Sequence, residues 1–198
     1  MAGRKEHVEE LRDYNEPRRV PEPPLYRKVQ EENQRAQKRQ EDFRLAGQYV
    51  AQAFEQISGV EKVVLFGSVA QPLLEEKPRY RKYRRAGISM LHECKDIDLA
   101  VWVSDSGCLQ AMQKARSKAV NQLWREHGMG VAHHQVDVFI MEPGSDRYLG
   151  RLCIYNQCPK GKPECRVPDC GSISLLRQHE NFELHTSALA PEITVLLV

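Results

Sequence analysis

Helices and strands packed into one core, the α/β class, is what this sequence predicts, on three observations. Apolar runs of strand length stand at 60–66, 96–103 and 135–141. A stretch from Leu25 to about Ile57 runs without a proline or turn cluster and carries a helical apolar period. A second helical period lies between the later two strands, from the Ser104-Asp105-Ser106 segment to Gly128.

With 198 residues and 41% hydrophobic content the chain can bury one sizeable core. It divides into a charged arm (1–25), a long N-terminal helix (26–58), a core (59–150) and a cysteine-rich loop with a C-terminal strand packing on that core (151–198). The arm ends in Pro21-Glu22-Pro23-Pro24 and has too little apolar surface to offset its ordering entropy. The first residues hold no apolar signal segment, and no window approaches the roughly eighteen apolar residues of a membrane span. A cytoplasmic protein without a membrane partner is expected. In that compartment the six cysteines read as thiols or metal ligands rather than disulfides.

Along the long helix Val29, Ala36, Phe43, Val50 and Ile57 recur every seven residues, with Asn33 and Gln40 interrupting the stripe in its first half. The pattern predicts a clear core face only from Phe43 onward, and leaves a coiled-coil or protein-partner role for the helix as the second reading. The first strand, Val60 to Phe66, ends in Gly67-Ser68. Val69-Ala70-Gln71 can start a helix that Pro72 and Pro78 confine to short pieces. Residues 71–94 form an insertion whose basic run, Lys77 to Arg85, contains no acid. Such a run, with Tyr83 inside it, suits a triphosphate or an RNA backbone, or else is a solvated surface loop.

The second strand alternates Asp96, Ile97, Asp98, Leu99, so the two carboxylates share a face. Ser104, Asp105 and Ser106 are candidate N-caps for a helix with an apolar stripe of Leu109, Met112, Ala115, Ala119, Val120, Leu123 and Trp124, and Gly128 is its stop. The strand at 135–141 sets Asp137 on the face opposite Val136 and Val138, and Pro143 to Asp146 turns the chain. A final strand is expected at 193–198. Three converging carboxylates would repel by roughly 4 kcal/mol per pair at about 4 Å and an effective dielectric near 20, so a divalent cation or a proton must accompany them. Oxygen-only ligands favour Mg²⁺ or Mn²⁺. A glycine turn followed by a helix start fits the phosphates that such a cation accompanies.

An apolar strand closed by Gly67-Ser68, then Asp96-Ile97-Asp98, then Asp137 on a later strand resembles the nucleotidyltransferase superfamily that includes DNA polymerase beta and the minimal nucleotidyltransferases. The resemblance covers about 45–141 and implies a mixed sheet with flanking helices, and transfer of a nucleoside monophosphate from a nucleoside triphosphate to a hydroxyl, with release of pyrophosphate. It also implies that Gly67 and Ser68 hold the outer phosphates, that Asp96 and Asp98 bind two metals, and that Asp137 binds the one that activates the acceptor. Many family members have Ala-Arg-Gly one residue after the Gly-Ser pair; here Ala70 is followed by Gln71 and Pro72. Phosphate handling is therefore expected to pass to Arg81, Lys82, Arg84 and Arg85.

Between Asn156 and Gly171 Val167 is the only sizeable aliphatic residue, so burial cannot order that loop. Structural zinc, at about 10–16 kcal/mol, could order about ten residues at 1–2 kcal/mol each. Cys158, Cys165 and Cys170 are the firmer ligands, with Cys153 as the fourth and His179 as its rival; Cys153 can instead be a buried strand thiol. Cys94 and Cys108 read as core. The function expected is metal-dependent nucleotidyl transfer to an RNA, a small hydroxylated molecule or a protein side chain. The alternative is a weakly catalytic, antitoxin-like binding module for RNA or a partner protein.

Overall fold

The computed structural model describes residues 23–76, 81–155, 173–177 and 182–198. The arm at 1–22 lies outside them. Helix α1 spans Pro23–Glu55, strand β1 Val60–Phe66, β2 Glu75–Glu76, helix α2 Arg81–Arg85, β3 Met90–Leu91, β4 Ile97–Val103 and helix α3 Leu109–His127. Strands β5 (Val136–Met141), β6 (Tyr148–Leu152), β7 (Leu176–Arg177) and β8 (Val195–Leu196) complete the order.

Six strands form a mixed sheet in the order β7-β6-β5-β4-β1-β8, in which β4 and β5 alone run parallel. A parallel pair requires a crossover, and α3 supplies it. Strands β2 and β3 pair separately as a small hairpin within the insertion. On one face α1 and α3 bury Phe43, Val50, Phe54, Leu65, Leu99, Met112 and Leu123 against the sheet. The other face carries Phe66, Ala100, Trp102 and Phe139, with Phe182, Leu184 and Leu189 of the C-terminal segment packed over it. Strand β4 is thus covered on both sides, which is why its sequence reads as a continuous apolar run after Asp98.

The helix ends follow local chemistry. Asp105 caps the turn before α3 by accepting from Gly107 N at 2.8 Å, and Gly128 closes α3 in the left-handed conformation at φ 66°. Trp124 departs from the stripe expected of α3: Leu123 takes the inward position of the last turn, and Trp124 stays 63% exposed. The C-terminal strand is shorter than 193–198, because Pro191–Ile193 form a tight 3₁₀ turn before β8.

The first half of α1 is more committed than its sequence suggests. Val29 and Ala36 are buried along with Phe43 and Val50, so the seven-residue stripe is used inside the chain. The polar interruptions are clamps. Asn33 Oδ1 accepts from Leu91 N at 2.8 Å, and the buried Gln40 donates through Nε2 to the carbonyls of Ser68 (3.1 Å) and Gln71 (2.6 Å). Arg44 adds Nε to Val69 O at 2.8 Å and Nη2 to Ala70 O and Gln71 O, while Arg39 Nε reaches Cys94 O at 2.9 Å. One helix therefore grips both backbone arms that flank the carboxylates. Gln40→Ala leaves Ser68 O without its donor and is expected to cost about 1 kcal/mol in urea unfolding, since a half-buried acceptor would go unpaired.

Candidate functional site

The C-terminal end of β1 and the N-terminal ends of β4 and β5 meet at one edge of the sheet. Pairing places Phe66 opposite Asp98, and Asp98 beside Asp137 across the parallel β4/β5 pair. Neighbouring strands lie about 4.8 Å apart, so the two carboxylates stand next to each other on one face. Asp96 precedes β4 and is exposed. It remains in electrostatic range, because its charge raises the affinity of both Asp98 and Asp137 for a proton.

Gly67 makes the close approach possible. Its φ is 74°, and a Cβ there would stand 2.5 Å from Asp98 Oδ2. Only glycine leaves that carboxylate its room. The helix start expected after Ser68 is a single 3₁₀ turn, Gly67–Val69, because Pro72 follows at once and the carbonyls of 68–71 are taken by Gln40 and Arg44. The segment is held from the α1 side rather than extended as an α-helix.

Burial, then the Asp137 charge, push the Asp98 carboxyl up to about 6; Arg151 opposes this and Asp96 adds to it. Asp137 is also raised, first by burial, with Arg151 pulling the other way. The two acids thus sit close together in a partly dry place with too little positive charge around them. Oxygen ligands under such mutual repulsion suit Mg²⁺ or Mn²⁺, so Asp98, Asp137 and the nearby Asp96 fit a divalent cation. Among the described residues no group of three or more His, Cys, Asp or Glu is already gathered at metal-binding distance, consistent with Asp96 standing apart on the approach to β4.

The arginine that touches a candidate ligand comes from a strand that sequence reasoning did not single out. Arg151 Nη1 donates to Asp137 Oδ2 at 2.8 Å, with its guanidinium stacked 4.4 Å from the Phe139 ring centre and 5.3 Å from that of Phe182. Arg177 of β7 lies directly opposite Arg151 in the antiparallel register. Beneath them Arg116 of α3 is fully buried, donating to Val136 O at 3.3 Å and Cys153 O at 2.9 Å and so tying the start of β5 to the end of β6. The signal for Arg151 was hidden by a bulge. Met141 pairs with Tyr148 but Phe139 with Arg151, so Tyr148 and Arg151 share a face although they are three residues apart, and period-two alternation fails.

The expected phosphate-binding residues belong to the insertion between β2 and β3. Arg81, Arg84 and Arg85 are exposed on α2, whose inward residue is the fully buried Tyr83; the Lys82 side chain is outside the described set. His133 and His134 form the exposed turn entering β5. Cys94 and Cys108 are buried free thiols, as expected. Cys153 is also a buried free thiol, packed in the helix-side core, and Cys158, Cys165, Cys170 and His179 lie outside the described residues. No helix among the described residues is long and apolar enough to cross a membrane.

Fold and site together define a mixed α/β domain with paired carboxylates at a glycine-lined sheet edge. Comparison with family models, with curated proteins and with solved structures finds no match for this chain. The chemistry of the site is therefore taken from its own residues.

Proposed function

We propose that the chain is a metal-dependent nucleotidyltransferase that moves a nucleoside monophosphate from a nucleoside triphosphate to a hydroxyl acceptor. One observation carries this: Asp98 and Asp137 stand side by side in register, against a Gly67 that has no room for a side chain. In the reaction the acceptor oxygen bonds to the α-phosphorus and its proton is released. The bond from that phosphorus to the α–β bridging oxygen breaks, and pyrophosphate leaves with the electron pair. A divalent cation held by Asp96, Asp98 and Asp137 would supply charge neutralisation at the attacking and leaving oxygens. Gly67 and Ser68 flank the triphosphate, and Arg81, Lys82, Arg84 and Arg85 offer positive charge from the insertion. Arg151 fixes the orientation of Asp137.

Transfer of an α-labelled nucleoside triphosphate to a panel of RNA, small-molecule and protein acceptors, with Mg²⁺ or Mn²⁺, tests the proposal. Label transfer by the full chain and its loss by at least about a hundredfold in a folded Asp96→Asn variant are expected, the scale of removing one charge-stabilising group from a transition state. Transfer that survives in Asp96→Asn and Asp137→Asn alike would overturn it.

A second reading has its own support. Arg151 already gives Asp137 a built-in counter-ion, an arrangement compatible with a domain that binds RNA or a partner protein without turnover. That reading expects RNA affinity that falls steeply with salt and needs no divalent metal.

A further inference from the structure

Arg151 and Arg177 face each other across β6 and β7, and the pairing of Arg151 with Phe139 puts both on the sheet face that carries Asp98 and Asp137. Like charges directly opposed on neighbouring strands destabilise a sheet unless an anion lies with them. Asp137 takes one nitrogen of one arginine. The Nε–H groups of Arg151 and Arg177 are buried and find no well-aligned acceptor among the described residues, the Tyr148 hydroxyl being within reach of the Arg151 guanidinium. Phe139 and Phe182 hold the Arg151 plane, so its donors are set in place before anything binds. Two guanidinium forks side by side match a phosphate, whose several oxygens can accept from both.

Their place in the sheet says whose phosphate. Across the site the order is Gly67 at the end of β1, Asp98 on β4, Asp137 on β5, then Arg151 on β6 and Arg177 on β7. If the donor's outer phosphates lie by Gly67 and Ser68, the arginines stand on the far side of the carboxylates, where the acceptor must enter. We propose that Arg151 and Arg177 form an acceptor subsite that binds a phosphate adjacent to the attacking hydroxyl. The acceptor is then a phosphorylated hydroxyl compound, either free or as the 3′ end of a nucleic-acid strand. The assignment to the acceptor rests on the nucleotidyltransferase reading; the anion subsite itself does not.

The test uses the full chain without nucleoside triphosphate. Fluorescein-labelled pentauridylate, whose terminal hydroxyl neighbours a phosphodiester, is titrated by anisotropy, with ribose 5-phosphate as competitor; MgATP affinity is measured separately. Arg177 touches neither carboxylate in a hydrogen bond, so Arg177→Met is the primary variant, with Arg177→Lys retaining the charge and circular dichroism checking the fold of each. Arg177→Met is expected to weaken pentauridylate by about tenfold or more, and to reduce the salt slope by about 0.7, the share of one phosphate contact on a single strand. Arg177→Lys should lose less, and MgATP affinity should move less than about twofold, because a phosphate bound elsewhere does not feel one removed contact strongly. Displacement by ribose 5-phosphate at similar concentration supports a small phosphorylated acceptor, and displacement only at far higher concentration supports a strand end. Failure of the unaltered chain to bind either probe at millimolar concentration, or unchanged binding in folded Arg177→Met, overturns the subsite. A parallel fall in MgATP affinity overturns its assignment to the acceptor and moves the arginines to the donor. If MgATP does not bind at all while pentauridylate still depends on Arg177, the nucleotidyltransferase reading fails and the anion subsite stands.

Discussion

Replacing Asp98 by Asn is expected to make the protein more stable at neutral pH while reducing nucleotidyl transfer by about a thousandfold or more, the combination typical of a site held under strain for function. The carboxyl is pushed up to about 6 in the fold, against about 3.9 in an unfolded chain, so the folded state binds the proton more tightly. Stability contributed by this group is therefore greatest where it is protonated, and falls as pH rises from about 4 through 6. By pH 7 the unbalanced charge costs about 3 kcal/mol by linkage. Asparagine keeps the shape without the charge. Melting temperatures of the two proteins should converge near pH 4 and separate above pH 6, with the variant higher. Mg²⁺ should raise the melting temperature of the unaltered chain and leave Asp98→Asn nearly unmoved. Parallel pH profiles for the two proteins would show that Asp98 is not held in a repulsive setting.

Gly67→Ala should harm both activity and stability. The backbone conformation at φ 74° costs an L residue about 1–2 kcal/mol. The added methyl would also meet Asp98 Oδ2 at 2.5 Å, so the carboxylate must leave its place beside Gly67. A hundredfold fall in transfer is expected, since misplacing a reacting group by about 1 Å is enough for such a fall, with a stability loss of about 2–3 kcal/mol from the backbone and steric parts together. The double variant Gly67→Ala with Asp98→Ala separates the two causes. It should recover the steric part of the loss in urea unfolding and keep the backbone part, giving a coupling of about 1 kcal/mol or more. Strict additivity would mean that the two residues do not touch.

The strands that build the carboxylate edge were legible because their burial is simple. Val63 to Phe66 is an apolar run closed by Gly67, and β4 is covered on both faces, so it reads as a continuous apolar run after Asp98. Asp98 and Asp137 stood out as charges inside such runs. Asp96 was less legible: its parity with Asp98 holds on paper, but it lies before β4 and is exposed. The β2–β3 hairpin could not be anticipated, since two-residue strands carry no period, and it is this hairpin that covers the first half of α1. Asn33 and Gln40 looked like weaknesses in a stripe, whereas each satisfies a backbone group from elsewhere in the chain. A polar residue on a core stripe is legible as a clamp only once its distant partner is known. Arg151 was hidden for a different reason, the bulge that resets alternation at Leu149.

The hydrogen bonds from α1 have a consequence for how the protein opens. Asn33, Arg39, Gln40 and Arg44 reach backbone groups between 25 and 58 positions further along the chain. Contacts of that separation form only after the intervening loops have closed, so the glycine turn and the approach to β4 become ordered when α1 docks, not before. In native-state hydrogen exchange the amides around Ala70 and Leu91 should then exchange together with the middle of α1, as one cooperative unit. Undocking a single helix would release both sides of the carboxylate edge in the same event, so the lifetime of the assembled site is the lifetime of that docking.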